Sequence, residues 1–141
     1  LPIYTHPRFL PGSTVTNSRM ERVLLAEGCC ILNAEISHSV IGLRSQIHDS
    51  VRIKDSIIMG CDYYETPCSE YEPGVQVAMG IGSGSQIEGA IIDKNARIGR
   101  GVIIKPFPRG VEIDKDYYSV RDGVVIVPKD AMLLPGKVIA P

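Results

Sequence analysis

Between Ile36 and Gly60 the chain copies itself at an interval of 17 residues. Ile36-Ser-His-Ser-Val-Ile41 returns as Ile53-Lys-Asp-Ser-Ile-Ile58, and Gly42 finds a counterpart at Gly60, one residue late behind Met59. The same aliphatic beat can be followed through Met20, Leu25, Ile31, Ile36, Ile41, Ile47, Ile53 and Ile58, and again through Ile81, Ile87, Ile92, Ile98 and Ile104, at spacings of five and six residues. An amphipathic helix would space its apolar residues by three and four, and a half-buried strand by two. A five-to-six beat inside a 17-residue period is the signature of a hexapeptide solenoid, in which each pass is one coil and flat strands stack into three parallel sheets. The expected fold is therefore all-β, a parallel β-helix of about five coils.

Composition agrees with a core made of stacked branched aliphatics. Hydrophobic residues make up 44% of the chain, aromatics only 6%, and Trp is absent. The β-branched excess favours strand. Fourteen Gly and ten Pro demand many turns, and Ala34, Ser39, Ser45, Ser50 and Ser56 suit tight corners. Two segments break the beat and read as loop excursions: residues 61–79, rich in Tyr, Pro and acidic side chains, and residues 105–110, Lys-Pro-Phe-Pro-Arg-Gly, after which the chain runs to a last apolar stretch at Val124–Val127. Lys129 to Ile139 closes the chain as one more turn. Residues 1–16 hold three prolines and no periodicity, and read as a linker from a missing N-terminal domain, with the solenoid occupying 17–141.

Charge excludes some partners. Fifteen Lys and Arg oppose 16 Asp and Glu, so no global field recruits nucleic acid or an anionic membrane, and any anion site must be local. No apolar run reaches the ~18 to 20 residues of a membrane span. Cys29, Cys30, Cys61 and Cys68 include no Cys-x-x-Cys pair, which favours thiols in a reducing compartment over a disulfide framework or a zinc site.

The chemistry-bearing residues are sparse. His38 and His48 could act as the general base of a solenoid acyltransferase, although corner histidines facing solvent explain them more simply. Gly80-Ile-Gly-Ser-Gly84 lacks the Lys and the following helix of a phosphate loop and reads as turn chemistry. Lys94, Arg97 and Arg100 form a modest basic ridge whose simplest reading is a solvated face. The carboxylates are scattered, with no pair suited to a metal, so no catalytic or metal-ligating residue is expected here.

Several phrases are nevertheless distinctive: IIDKNARIG at 91–99, MGCDYYE at 59–65, GIG at 80–82, HSVIGLRS at 38–45 and YTHPRFLP at 4–11. In order and over nearly the whole chain they resemble the C-terminal domain of ADP-glucose pyrophosphorylase (glucose-1-phosphate adenylyltransferase) of the plant and cyanobacterial type. The resemblance implies a left-handed β-helix that assembles the enzyme's homo- or hetero-tetramer and helps to bind phosphorylated effectors, with 3-phosphoglycerate activating and phosphate inhibiting. It implies an N-terminal domain that makes ADP-glucose and pyrophosphate from ATP and glucose 1-phosphate with Mg2+, for glycogen or starch synthesis, and a cytoplasmic or plastid-stromal setting. No cofactor is expected within this chain.

Carried over position by position, the family's anion-binding residues fall on Arg8 in the linker, with His6 in place of a glutamine, on Lys129, and on Arg121 just before its phrase. A further family lysine aligns with Phe107, leaving Lys105 nearby to stand in. Phosphate and carboxylate effectors call for such Lys charges and Arg forks. The competing readings are a stand-alone hexapeptide acyltransferase and a non-catalytic regulatory paralogue.

Overall fold

A strand of two or three residues becomes part of a coil only if the chain turns sharply at its end, and residues in the left-handed backbone region supply those turns. The computed structural model describes residues 10–64 and 77–141. Ten non-glycine residues there have positive φ, and six of them are Asn or Asp (Asn17, Asn33, Asp55, Asn95, Asp122, Asp130), the types that tolerate this conformation best. The corner positions are thus chemically selected, and the strands are what lies between them.

The first coil comprises β1 (Thr14–Thr16) and β2 (Arg19–Leu25), which bends at Arg22 so that its halves lie on two faces. The second coil repeats this with β3 (Cys30–Leu32) and β4 (Glu35–Ile41), bent at His38. The third contains β5 (Gln46–Ile47), β6 (Arg52–Lys54) and β7 (Ile57–Ile58), and the fourth β8 (Gly80–Ile81), β9 (Gln86–Glu88) and β10 (Ala90–Ile92). The fifth opens with β11 (Arg97–Ile98) and β12 (Ile103–Ile104), detours through β13 (Ile113–Asp114) and β14 (Ser119–Arg121), and closes with β15 (Val124–Val127). β16 (Met132–Leu133) and β17 (Val138–Ile139) supply two faces of a sixth. β1 and its partner β3 show that coil-like pairing begins inside the stretch read from sequence as linker.

Face one stacks β1, β3, β5, β8, β11 and β16. Face two runs from the first halves of β2 and β4 through β6, β9 and β12 to β17, and face three from their second halves through β7, β10 and β15. Every pairing is parallel except those of the β13–β14–β15 meander. The registers place like on like: Ile36 pairs with Ile53 and Ile53 with Ile87, while Ile41 pairs with Ile58. Ile31, Ile36, Ile41, Ile47, Ile53, Ile81, Ile87, Ile92, Ile98 and Ile104 are all essentially inaccessible to solvent. Burying each stabilises the fold by about 1.5–3 kcal/mol before conformational entropy is counted. Met20 and Leu25, at the same phase, are only half-buried because theirs is the terminal coil.

Serines take the second inward position on face three. Ser39 Oγ donates to Ser37 O and accepts from Ser56 N, and Ser56 Oγ donates to Lys54 O and accepts from Ala90 N. Each hydroxyl therefore bridges successive coils, which removes the cost of burying it.

The second interruption of the sequence beat is more than a loop. β14 pairs antiparallel with β15, extending face three beyond the fifth coil where the sixth supplies no strand of its own. Val120 seals the core there, and Lys137 Nζ lies 4.3 Å from the centroid of the Tyr117 ring, tying the meander to the last coil. The short β13 is followed by Lys115 and Asp116, charges of the kind that discourage edge pairing. Most of the first interruption, residues 65–76, lies outside the described residues. No helix among the described residues is long and apolar enough to cross a membrane.

Candidate functional site

Among the described residues, the corner between faces three and one gathers a group of polar side-chain contacts from three coils. Three consecutive coils meet there, represented by Gly60–Asp62, Lys94–Asn95 and Lys129–Asp130. Backbone bonds stack them: Asn95 N donates to Gly60 O at 3.1 Å, and Asp130 N to Lys94 O at 3.0 Å. Strands on either side agree, since Ile92 pairs with Val127 and Ile98 with Leu133. Lys94 and Lys129 therefore occupy equivalent positions on adjacent coils, in a lattice whose strand spacing is about 4.8 Å.

Asp62 joins them. Its carboxylate lies 3.1 Å from Lys94 Nζ through Oδ1 and 3.8 Å from Lys129 Nζ through Oδ2. Asn95, buried and with φ of 60°, brackets the same residue, accepting from Asp62 N at 2.8 Å and donating Nδ2 to Oδ2 at 3.1 Å. The hydrogen bond from Lys94, then that from Asn95, holds the Asp62 carboxyl below the usual carboxylate range. All three charged side chains keep roughly half their surface in solvent, so the corner is open to a ligand.

Of the residues singled out in the sequence, Lys129 lies in this corner. Arg121, on β14, pairs through Nη2 with Asp114 across the meander and bonds Ile113 O and Val120 O through Nη1. That contact with Asp114 raises its affinity for its proton further. Lys105 Nζ lies 3.3 Å from Glu88 Oε2 on face two. Among the described residues these two cations make their ion pairs away from Asp62. Arg8 and His6 lie outside the described residues.

Lys94 is the site residue that sequence reading passed over as part of a solvated ridge. The signal was present but out of step: Lys94 and Lys129 are separated by 35 residues, the same offset as Ile92 and Val127. Without knowing that residues 105–123 form an inserted meander, that offset does not read as one coil. Arg97, from the same ridge, donates Nη1 to Val77 O at 3.1 Å.

The histidines weighed as bases sit apart. His38 is an exposed corner residue whose Nδ1 lies 2.7 Å from the Asp55 carboxylate, at the equivalent corner of the next coil. His48 follows β5 on face one, where its Nε2 is buried and, among the described residues, has no hydrogen-bond partner. Burial first, and the nearby Arg100 charge second, depress its pKa below the ordinary 6.5. In the window just below that value the unfolded chain binds a proton that the folded chain does not, so stability rises with pH there. Stability should be fully present above pH ~6.5 and decline on acidification, with a slope of at most about 1.4 kcal/mol per pH unit from this group. Urea melts from pH ~7.5 to ~5 should show the decline in the parent chain and a smaller one in His48→Gln; identical profiles would remove His48 as its source.

Gly80, Gly82 and Gly84 serve coil packing. A Cβ on Gly80 would lie 2.3 Å from Gln46 O and one on Gly82 2.6 Å from Gly99 C, while Gly84 is a corner with φ of 74°. Among the described residues no three His, Cys, Asp or Glu side chains group to hold a metal ion.

The outer surfaces differ by face. Face two carries charges in strand register, Arg19–Glu35–Arg52 in one column and Lys54–Glu88 in the next. Face three carries an apolar column, Leu24–Val40–Ile57–Ile91–Ile126, of which Leu24, Val40 and Ile57 are exposed.

Comparison with known proteins places these features in context. The family described as the GLGC left-handed parallel beta-helix domain matches residues 8–138. The chain is 46% identical over 143 residues to the glucose-1-phosphate adenylyltransferase small subunit, chloroplastic/amyloplastic, of Triticum aestivum. That alignment covers 98% of this chain and 30% of the wheat protein, so the chain spans under a third of the curated relative it matches.

Proposed function

We propose, from the premise that this chain belongs to the GLGC left-handed parallel β-helix family, that it is the regulatory and assembly domain of a glucose-1-phosphate adenylyltransferase. In this reading the chain performs no chemistry of its own. The nucleotidyl transfer from ATP to glucose 1-phosphate, giving ADP-glucose and pyrophosphate, belongs to an N-terminal catalytic portion, together with its Mg2+. The relative's printed name supports a starch-forming, plastid setting.

The observation that carries the regulatory half is the convergence of Lys94 and Lys129 on one solvent-open corner. Two ammonium groups on adjacent coils form a local positive site in a chain whose overall charge is near zero. The β-helix makes the site rigid, because backbone bonds fix the distance between the two corners. A phosphorylated metabolite offers the doubly charged oxygen cluster that such a pair complements. Arg8, His6, Arg121 and Lys105 are the other effector-binding candidates that the family resemblance implies, of which Arg121 and Lys105 make their ion pairs with Asp114 and Glu88, away from this corner. For assembly, the apolar column of face three is the surface we assign to contact with another subunit of a homo- or hetero-tetramer, since a flat, contiguous apolar patch marks an interaction site.

The test is inorganic phosphate binding, followed by calorimetry on the protein carrying this domain at low ionic strength. Lys129→Ala should weaken phosphate binding about tenfold, the scale of one lost charge-assisted contact, and flatten the response of the complete enzyme to phosphorylated effectors. Unchanged binding and an unchanged effector response would refute the site.

A further inference from the structure

The Lys94–Lys129 corner already holds an anion of its own. Asp62 contacts both lysines at once, and Asn95 holds it in place from its amide N–H and from its carboxylate. Asp62 reaches the corner because the chain leaves the third coil there: Cys61 N bonds back to Leu43 O at 2.8 Å, and the next residue turns its side chain over the corner. The position of Asp62 is thus set by the fold, and its occupancy of the lysine pair by a short tether.

We propose that Asp62 is an internal competitor for the anion site: its carboxylate occupies the Lys94–Lys129 pair when no ligand is present, and a phosphate-bearing ligand binds by displacing it. This inference rests on the anion-site reading above and names how that site is regulated. With Asp62 in contact the three side chains sum to one positive charge; with the carboxylate swung away, a phosphate dianion meets two. A side chain on a short tether competes at an effective concentration of order millimolar or more, so singly charged anions are excluded and a ligand whose oxygens carry a double charge, such as a phosphate dianion, displaces it. The carboxylate is partly exposed, and exposed ion pairs are individually weak. It can therefore yield to ligand without disturbing the coils beneath.

Removing the competitor should tighten binding, whereas a carboxylate that merely positions the lysines would weaken it when lost. Phosphate titrations of Asp62→Asn, Asp62→Ala and Lys129→Ala in the protein carrying this domain separate the two. We expect both Asp62 variants to bind inorganic phosphate about three- to tenfold more tightly than the parent, and their binding to fall more steeply with added salt because more net charge attracts the ligand. Equal or weaker binding in the Asp62 variants, with Lys129→Ala having lost binding, overturns the competitor and leaves the anion site standing. Unchanged binding in Lys129→Ala overturns the anion site itself. Asp62→Ala supplies the same readout if Asp62→Asn does not fold, circular dichroism being the check on each.

Discussion

Truncating Ile53 to alanine is expected to destabilise the chain by about 3–5 kcal/mol, the upper part of the range for large-to-small changes in a rigid core. Ile53 is essentially inaccessible and is the middle rung of the face-two ladder, with Ile36 above and Ile87 below. Neighbouring coils are held apart by their backbone hydrogen bonds and cannot collapse into the gap, so the cavity term adds to the lost transfer energy. A solenoid is also stabilised by nearest-neighbour contacts along one dimension. A hole in the third coil should therefore uncouple the first two coils from the rest and broaden the urea transition. The matching change at the end of the same ladder, Met20→Ala, removes a half-buried side chain and should cost about 1 kcal/mol with the transition still sharp. If both variants lose the same stability, the ladder is not the continuous core described above.

Gly60→Ala should be comparably severe, at about 3 kcal/mol or more, for a different reason. Gly60 has φ of 95°, and a Cβ there would stand 2.2 Å from Leu43 O and 2.8 Å from Gly42 C. Both obstacles are backbone on the neighbouring coil, so nothing flexible can move aside, and the strain of the left-handed conformation adds to the overlap. Gly101 isolates the first effect, since its φ is 65° but open space surrounds it; Gly101→Ala should cost only about 1 kcal/mol. Gly60 O also accepts from Asn95 N at the anion corner, so Gly60→Ala should impair phosphate binding as well as stability. Chemical denaturation of the two variants side by side tests the claim, and equal losses would contradict the close-contact argument.

Gly42 and Gly60 illustrate how the sequence encodes such contacts. As a repeat they look like equivalents with one residue slipped. In the structure Met59 is the residue whose carbonyl would meet a Cβ on Gly42, at 2.2 Å, and Gly60 then packs back against Gly42. The slip is a diagonal packing of two backbones, and each glycine exists because the other coil passes too close for a side chain. His38 shows the opposite case: its exposed corner position followed from its place in the repeat, and its pairing with Asp55, one coil on, keeps it there.

The β-helix and its inward ladder were legible from residue order, because a coil repeats every 16 or 17 residues and each coil buries its own aliphatics against the next; of the small residues read as corners, Ser50 turns with positive φ, whereas Ala34, Ser39, Ser45 and Ser56 are buried beside the turns. Burial at so short a range writes itself into the sequence as a period. The meander at the C-terminal end and the company Lys129 keeps were not legible. Inserted segments change the offset between stacked positions from 17 residues to 34 between Ile53 and Ile87 and to 35 between Ile92 and Val127. After such an insertion, which corners share an edge depends on where the chain re-enters the stack. Lys129 was found by likeness of phrase. Its partners Lys94, Asp62 and Asn95 were found only in space, where three coils separated along the chain bring their charges to one corner.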